Sequence, residues 1–146
     1  MAKVHRLGGF LFCVAISVPA RAATCSSLAA LKLPKTVVTA GQDVGSGKFV
    51  PPEGRPSDLQ LAAYRDLPAF CRVQGVLRPS GDSHIEFEVW LPASGRNGKS
   101  MGVGNGGSGE FIAYASAAVS NAPSLADTVR DGFACGFRSK WGADSI

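Results

Sequence analysis

The sequence contains no Gly-x-Ser-x-Gly, and its two histidines are His5 and His84. A nucleophile elbow is therefore missing, and Ser108 in Gly106-Gly107-Ser108-Gly109 has no base near it in the chain. No second metal-type residue stands at a useful spacing from His84, which argues against a metal centre and leaves His84 as a strand-start surface residue. Charged residues make up only 18% of the chain and hydrophobic ones 45%, so a solvated, disordered chain is excluded. The apolar run at residues 7–18 is too short to cross a bilayer.

What is present begins with that run. Lys3, His5 and Arg6 precede it, and Pro19-Ala20-Arg21-Ala22 follows with small residues at the −3 and −1 positions. The three regions together predict a secretory signal peptide over 1–22, leaving 23–146 as the mature chain, secreted or periplasmic. Removing Lys3, Arg6 and Arg21 from the fifteen Lys and Arg leaves twelve against eleven Asp and Glu, a net charge of about +1. The basicity is largely a targeting feature. No Lys/Arg cluster remains, so neither nucleic acid nor a membrane surface is an expected partner.

Of the four cysteines, Cys13 lies in the apolar run. Cys25 and Cys71 are natural disulfide partners in an oxidising compartment, and closing that loop would contribute about 3–4 kcal/mol on the chain-entropy model. Cys135 is left over, either as a buried small hydrophobe or as the partner of a cysteine beyond Ile146.

Eighteen glycines and nine prolines predict many turns and short strands. Residues 25–31 read as a helical turn with Ser26 or Ser27 as N-cap, 35–40 as a strand, 41–47 as a turn and 48–50 as a further short strand. Residues 51–58 read as a surface loop. Gly45-Ser46-Gly47-Lys48 looks like the end of a phosphate-binding loop, but its first glycine comes one residue early and Phe49 replaces the hydroxyl residue.

Residues 72–77 and 84–91 predict two antiparallel strands, since the link between them is too short for a parallel crossover. The second alternates, with Ile85, Phe87, Val89 and Leu91 on one face and His84, Glu86, Glu88 and Trp90 on the other. Glu86 and Glu88 are expected on a solvated face rather than as an acid–base pair. Residues 99–103 predict a short strand and the Ala-rich 110–121 a helix. Residues 124–130 predict another helix, with Ser124 as N-cap, Asp127 at N3 and Gly132 as its stop, and 132–137 a strand.

Between strand and helix lies Gly-Val-Gly-Asn-Gly-Gly, residues 102–107. It matches G-x-G-x-x-G, with Asp127 at the distance of a ribose-binding acid, yet antiparallel strands precede it and the chain is exported from the compartment that supplies the dinucleotide. A plain turn needs no more than glycine's freedom. The third reading is an oxyanion loop, whose backbone N–H groups approach a tetrahedral intermediate where side chains would block the way.

The set LPKTVVTA, GKFVPP, LPAFCRV, PSGDSHIEFEVWLP, NGK and GVGNGG, between Cys25 and Ala134, resembles the N-terminal portion of the tannase/feruloyl esterase family, secreted serine esterases. The resemblance implies an α/β fold, here the incomplete N-terminal part of an α/β-hydrolase with early antiparallel strands. It also implies a Cys25–Cys71 disulfide, Gly106 and Gly107 as oxyanion-hole candidates, and small aromatic esters of gallate or ferulate type as substrates. Arg96-Asn97-Gly98 departs from the family's Trp-Asn-Gly, and Ser100 stands where an aromatic is common. After Ala134 the chain reads CGFRSKWGADSI instead of the family's continuation. No catalytic residue, metal ligand or cofactor site is expected in this chain, although calcium accompanies the family's lid. The expectation is a truncated or fragmentary esterase chain, inactive alone. The competing expectation is a non-catalytic extracellular β-rich binding module, with Trp90 and Tyr64 as an aromatic platform for aromatic or carbohydrate ligands.

Overall fold

The structure is a computed structural model and describes residues 23–52, 55–104, 112–115 and 123–138. The expected signal peptide, Gly106, Gly107 and Ser108 lie outside the described residues. Six strands form one mixed sheet in the order β1-β2-β3-β4-β6-β5. Its centre is the predicted hairpin of β3 (Phe70–Leu77) and β4 (Ile85–Pro92), antiparallel, with Phe70 opposite Pro92 and Leu77 opposite Ile85. β2 (Thr36–Val44) continues the antiparallel order beyond β3, and the short β1 (Lys32–Leu33) borders it.

On the other side the direction changes. β6 (Ala134–Arg138) runs antiparallel to β4, and β5 (Ser100–Val103) runs parallel to β6, Ser100 opposite Ala134. The short helix α2 (Leu125–Arg130) lies between β5 and β6 in the chain, so the sheet ends in a β-α-β unit. Its start is the predicted one: Ser124 Oγ accepts from Asp127 N (3.3 Å), and the Asp127 carboxylate accepts from Ser124 N (3.1 Å). Its stop is also the predicted one. Gly132 takes φ +79°, where an added Cβ would lie 2.5 Å from the Gly95 carbonyl oxygen.

Several expectations are corrected. Residues 41–44 belong to β2 rather than to a turn, because Gly41 lets the Cys25 carbonyl approach where a Cβ would sit only 2.2 Å away. Residues 48–50 form no strand; Phe49 turns inward to the core. The turn before it is tied to Leu67, whose carbonyl accepts from Gly47 N and Ser46 Oγ, both at 2.9 Å. The N-terminal 3-10 turn, Ser26–Ala30, is capped by Cys25 without a side-chain bond, not by a serine. Helix α1 (Asp58–Arg65), opened by a capping box of Ser57 and Gln60, begins on the last residue of the expected loop and fills a stretch for which no element was expected. Of the helix expected over 110–121, residues 112–115 are not helical, and the remaining positions lie outside the described residues.

The core lies on one face of the sheet. Phe70, Trp90, Val103, Cys135 and Phe137 meet Leu125, Ala126 and Val129 of α2, with Phe49, Tyr64 and Leu67 completing the layer. Among the described residues no helix is long and apolar enough to cross a membrane. The Cys25–Cys71 disulfide, with Cα atoms 5.6 Å apart, ties the 3-10 turn to β3.

Candidate functional site

The glycine-rich segment leaves the sheet at the carboxyl end of β5. Val103 is buried in the core and Gly104 follows it, where an added Cβ would meet no atom of the described residues within 4 Å. Open α/β sheets bind ligands outside the carboxyl ends of their parallel strands. The chain is next described at residues 112–115. Ala113 O accepts from Leu125 N (3.3 Å) and Tyr114 O from Ala126 N (2.9 Å), so this segment supplies partners for two of α2's otherwise open N–H groups.

The Tyr114 side chain reaches a buried polar cluster under the sheet. Arg72 and Gln74 project from β3, and Glu88 and Trp90 from β4, the ladder setting Arg72 opposite Trp90 and Gln74 opposite Glu88. Glu88 Oε2 accepts from Arg72 Nε and Trp90 Nε1, both at 2.9 Å. Its Oε1 accepts from Arg72 Nη2, from Gln74 Nε2 (3.0 Å) and from Tyr114 Oη (2.9 Å). Both carboxylate oxygens are thus fully engaged although the residue is 2% exposed.

The Arg72 guanidinium also lies 5.4 Å from the Phe49 ring centroid and 5.8 Å from that of Tyr114. Burial works against the Arg72 charge, but hydrogen bonding and attraction to Glu88 outweigh it and raise its pKa. Burial, followed by the charge of Glu88, raises the Tyr114 phenol well above its ordinary value.

Glu88 therefore does not lie on a solvated face. The alternation of β4 holds, but its polar-looking face is exposed only at His84 and Glu86, which approach each other at 3.7 Å, and is buried at Glu88 and Trp90. Period-two reasoning identified the two faces but gave the Glu88 face to water. Ile85 on one face and Glu88 and Trp90 on the other are all buried, Glu88 being neutralised by a partner on the neighbouring strand. The readable signal was cross-strand: Arg72 and Gln74 alternate on β3 as Glu88 and Trp90 do on β4. Trp90 and Tyr64 are both buried, so they form no surface platform for a ligand. Among the described residues no three His, Cys, Asp or Glu side chains gather to hold a metal ion.

The dinucleotide reading is also weakened. β5 does open a parallel β-α-β unit, yet the helix described within it, α2, begins at Leu125, and Asp127 caps that helix. Gly106 and Gly107 remain an expectation from the sequence, flanked by Gly104 and Tyr114.

A sheet with antiparallel early strands, a closing β-α-β unit and a glycine-rich exit from β5 defines a mixed α/β architecture, and the chain's likenesses lie among esterases. It is 43% identical over 89 residues to an uncharacterized esterase of Xanthomonas campestris pv. campestris, a match that covers 61% of this chain and 14% of that protein. Its fold is similar to that of an esterase from Aspergillus oryzae, with TM-score 0.62 and 24% identity, over 80% of this chain and 22% of the other. Feruloyl esterase B from Aspergillus oryzae gives TM-score 0.54 and 24% identity, over 80% and 21%. No family model matches the sequence. The chain spans about a seventh of the length of the bacterial relative.

Proposed function

We propose that this chain is the N-terminal portion of an α/β-hydrolase of the tannase/feruloyl esterase type, a carboxylic ester hydrolase exported to an oxidising compartment after loss of residues 1–22. The observation that carries the proposal is the position of the glycine-rich segment. It leaves the carboxyl end of β5, the parallel strand of the β-α-β unit, and in α/β-hydrolases one oxyanion donor comes from the loop after an early strand. The sequence likeness to a bacterial esterase supports the reaction class, and the disulfide supports the compartment. The fold likeness to feruloyl esterase B, together with the sequence resemblance, favours small esters of aromatic acids as substrates.

In this reading a serine outside the 146 residues attacks the ester carbonyl, the alcohol leaves, and water then releases the aromatic acid from the acyl-enzyme. Backbone N–H groups at Gly106 and Gly107 hold the oxygen that becomes negative in the tetrahedral intermediate. Losing one such donor lowers kcat by about 100- to 1000-fold. The Arg72–Glu88 pair is too deeply buried to act as acid or base on a substrate.

Incubation of the 146-residue chain with methyl gallate and methyl ferulate tests the assignment of the nucleophile. The expected result is no acid release above the uncatalysed rate and no fluorophosphonate adduct on Ser108. Turnover by this chain alone would contradict it.

A further inference from the structure

The buried ion pair is not explained by stability alone. Replacing such a pair with well-packed apolar residues is often neutral or stabilising, so a pair this well satisfied points to something it positions. Arg72, Gln74, Glu88 and Trp90 sit on strands already fixed to each other by the β3–β4 ladder. Tyr114 is different: it belongs to neither strand nor helix, and it reaches Glu88 from outside the sheet.

Its ring lies 5.3 Å from that of Phe49 and stacks with Trp90 at 6.1 Å, while Arg72 Nη2 donates to its hydroxyl at 3.4 Å. At the other end of the same residue the carbonyl accepts from Ala126 N of α2. One residue thus links the polar cluster under β3 and β4 to the start of α2.

We propose that Tyr114 is a positioning residue. Glu88, oriented by Arg72, holds the phenol, and this fixes where the chain that left the sheet at Val103 rejoins the core and meets α2. The consequence for an oxyanion loop between those two points rests on the esterase reading; the clamp itself does not. Gln74 donates to the same Glu88 oxygen from within the sheet and serves as an internal comparison.

Amide hydrogen exchange of the full chain separates a clamp from general core packing. In Tyr114→Phe, which keeps the ring and removes only the hydroxyl, the Leu125 and Ala126 amides are expected to exchange about ten- to a hundredfold faster, the scale of one hydrogen bond to a charged group. The amides of Val73 and Val89 in β3 and β4 keep their wild-type rates. Gln74→Met leaves the Leu125 and Ala126 amides unchanged. Unchanged exchange at Leu125 and Ala126 in Tyr114→Phe would overturn the proposal, and so would an equal loss of protection throughout the sheet. Failure of the esterase reading leaves these rates as they are, so the two claims fail separately.

Discussion

Glu88 shows how a single carboxylate can reverse the reading of a strand. An alternating segment normally turns its charged face to water, but here Arg72 and Trp90 on one oxygen, and Gln74 and Tyr114 on the other, replace the solvent. Cys135 shows the opposite case, a residue left over in the sequence that is buried in the core among the described residues. It forms no disulfide among the described residues, is 1% exposed, and its thiol is pushed up to about 12 by burial, only partly opposed by a backbone hydrogen bond at Trp90. Iodoacetamide at pH 8 is therefore expected to leave Cys135 unlabelled in the native chain and to label it after denaturation, read by peptide mass mapping. The tyrosines carry a pH prediction. Burial raises both Tyr64 and Tyr114, so the folded state keeps its phenol protons after the unfolded chain begins to lose them near pH 10. Their contribution is whole below about pH 10 and is lost as pH climbs through the folded values. Urea midpoints measured between pH 8 and pH 11 should fall, and fall less steeply in Tyr114→Phe.

At the scale of elements, helix ends and the central hairpin were the legible parts. Ser124, Asp127 and Gly132 were identified from side-chain chemistry that acts within a few residues, and the short link between β3 and β4 forced their antiparallel pairing. Ser124→Ala is expected to cost about 1 kcal/mol of stability through loss of the cap, and Gly132→Ala about 1–2 kcal/mol or more, since its clash with Gly95 adds to the strained φ. Denaturant midpoints at constant m-value check both. What failed was non-local. Nothing near residues 41–44 announces that Cys25 will pack on Gly41, and the alanines near 112–115 favour a helix that tertiary hydrogen bonds to α2 override. Helix α1 was a missed local signal: Ser57-Asp58-Leu59-Gln60 is itself a capping box.

At the scale of the molecule, the proposal that this chain is the part of an esterase preceding its nucleophile rests on the sheet, the disulfide and the exit of the glycine segment from β5. The order of the strands was not readable, because the parallel β5–β6 pair depends on a crossover whose packing lies outside the motifs. Gly106 and Gly107 were singled out by composition and resemblance, and the described fold places their flanking residues, Gly104 at the end of β5 and Tyr114 beside α2. The most direct measurement is a transplant: residues 23–138 of this chain replace the homologous stretch of the Xanthomonas campestris esterase, and hydrolysis of p-nitrophenyl acetate is followed in the parent, the chimera and the chimera carrying Gly107→Pro. The account predicts an active chimera whose kcat falls about 100- to 1000-fold when proline removes the N–H at 107. A chimera that melts as cooperatively as an active parent yet hydrolyses nothing, or one indifferent to Gly107→Pro, would contradict it.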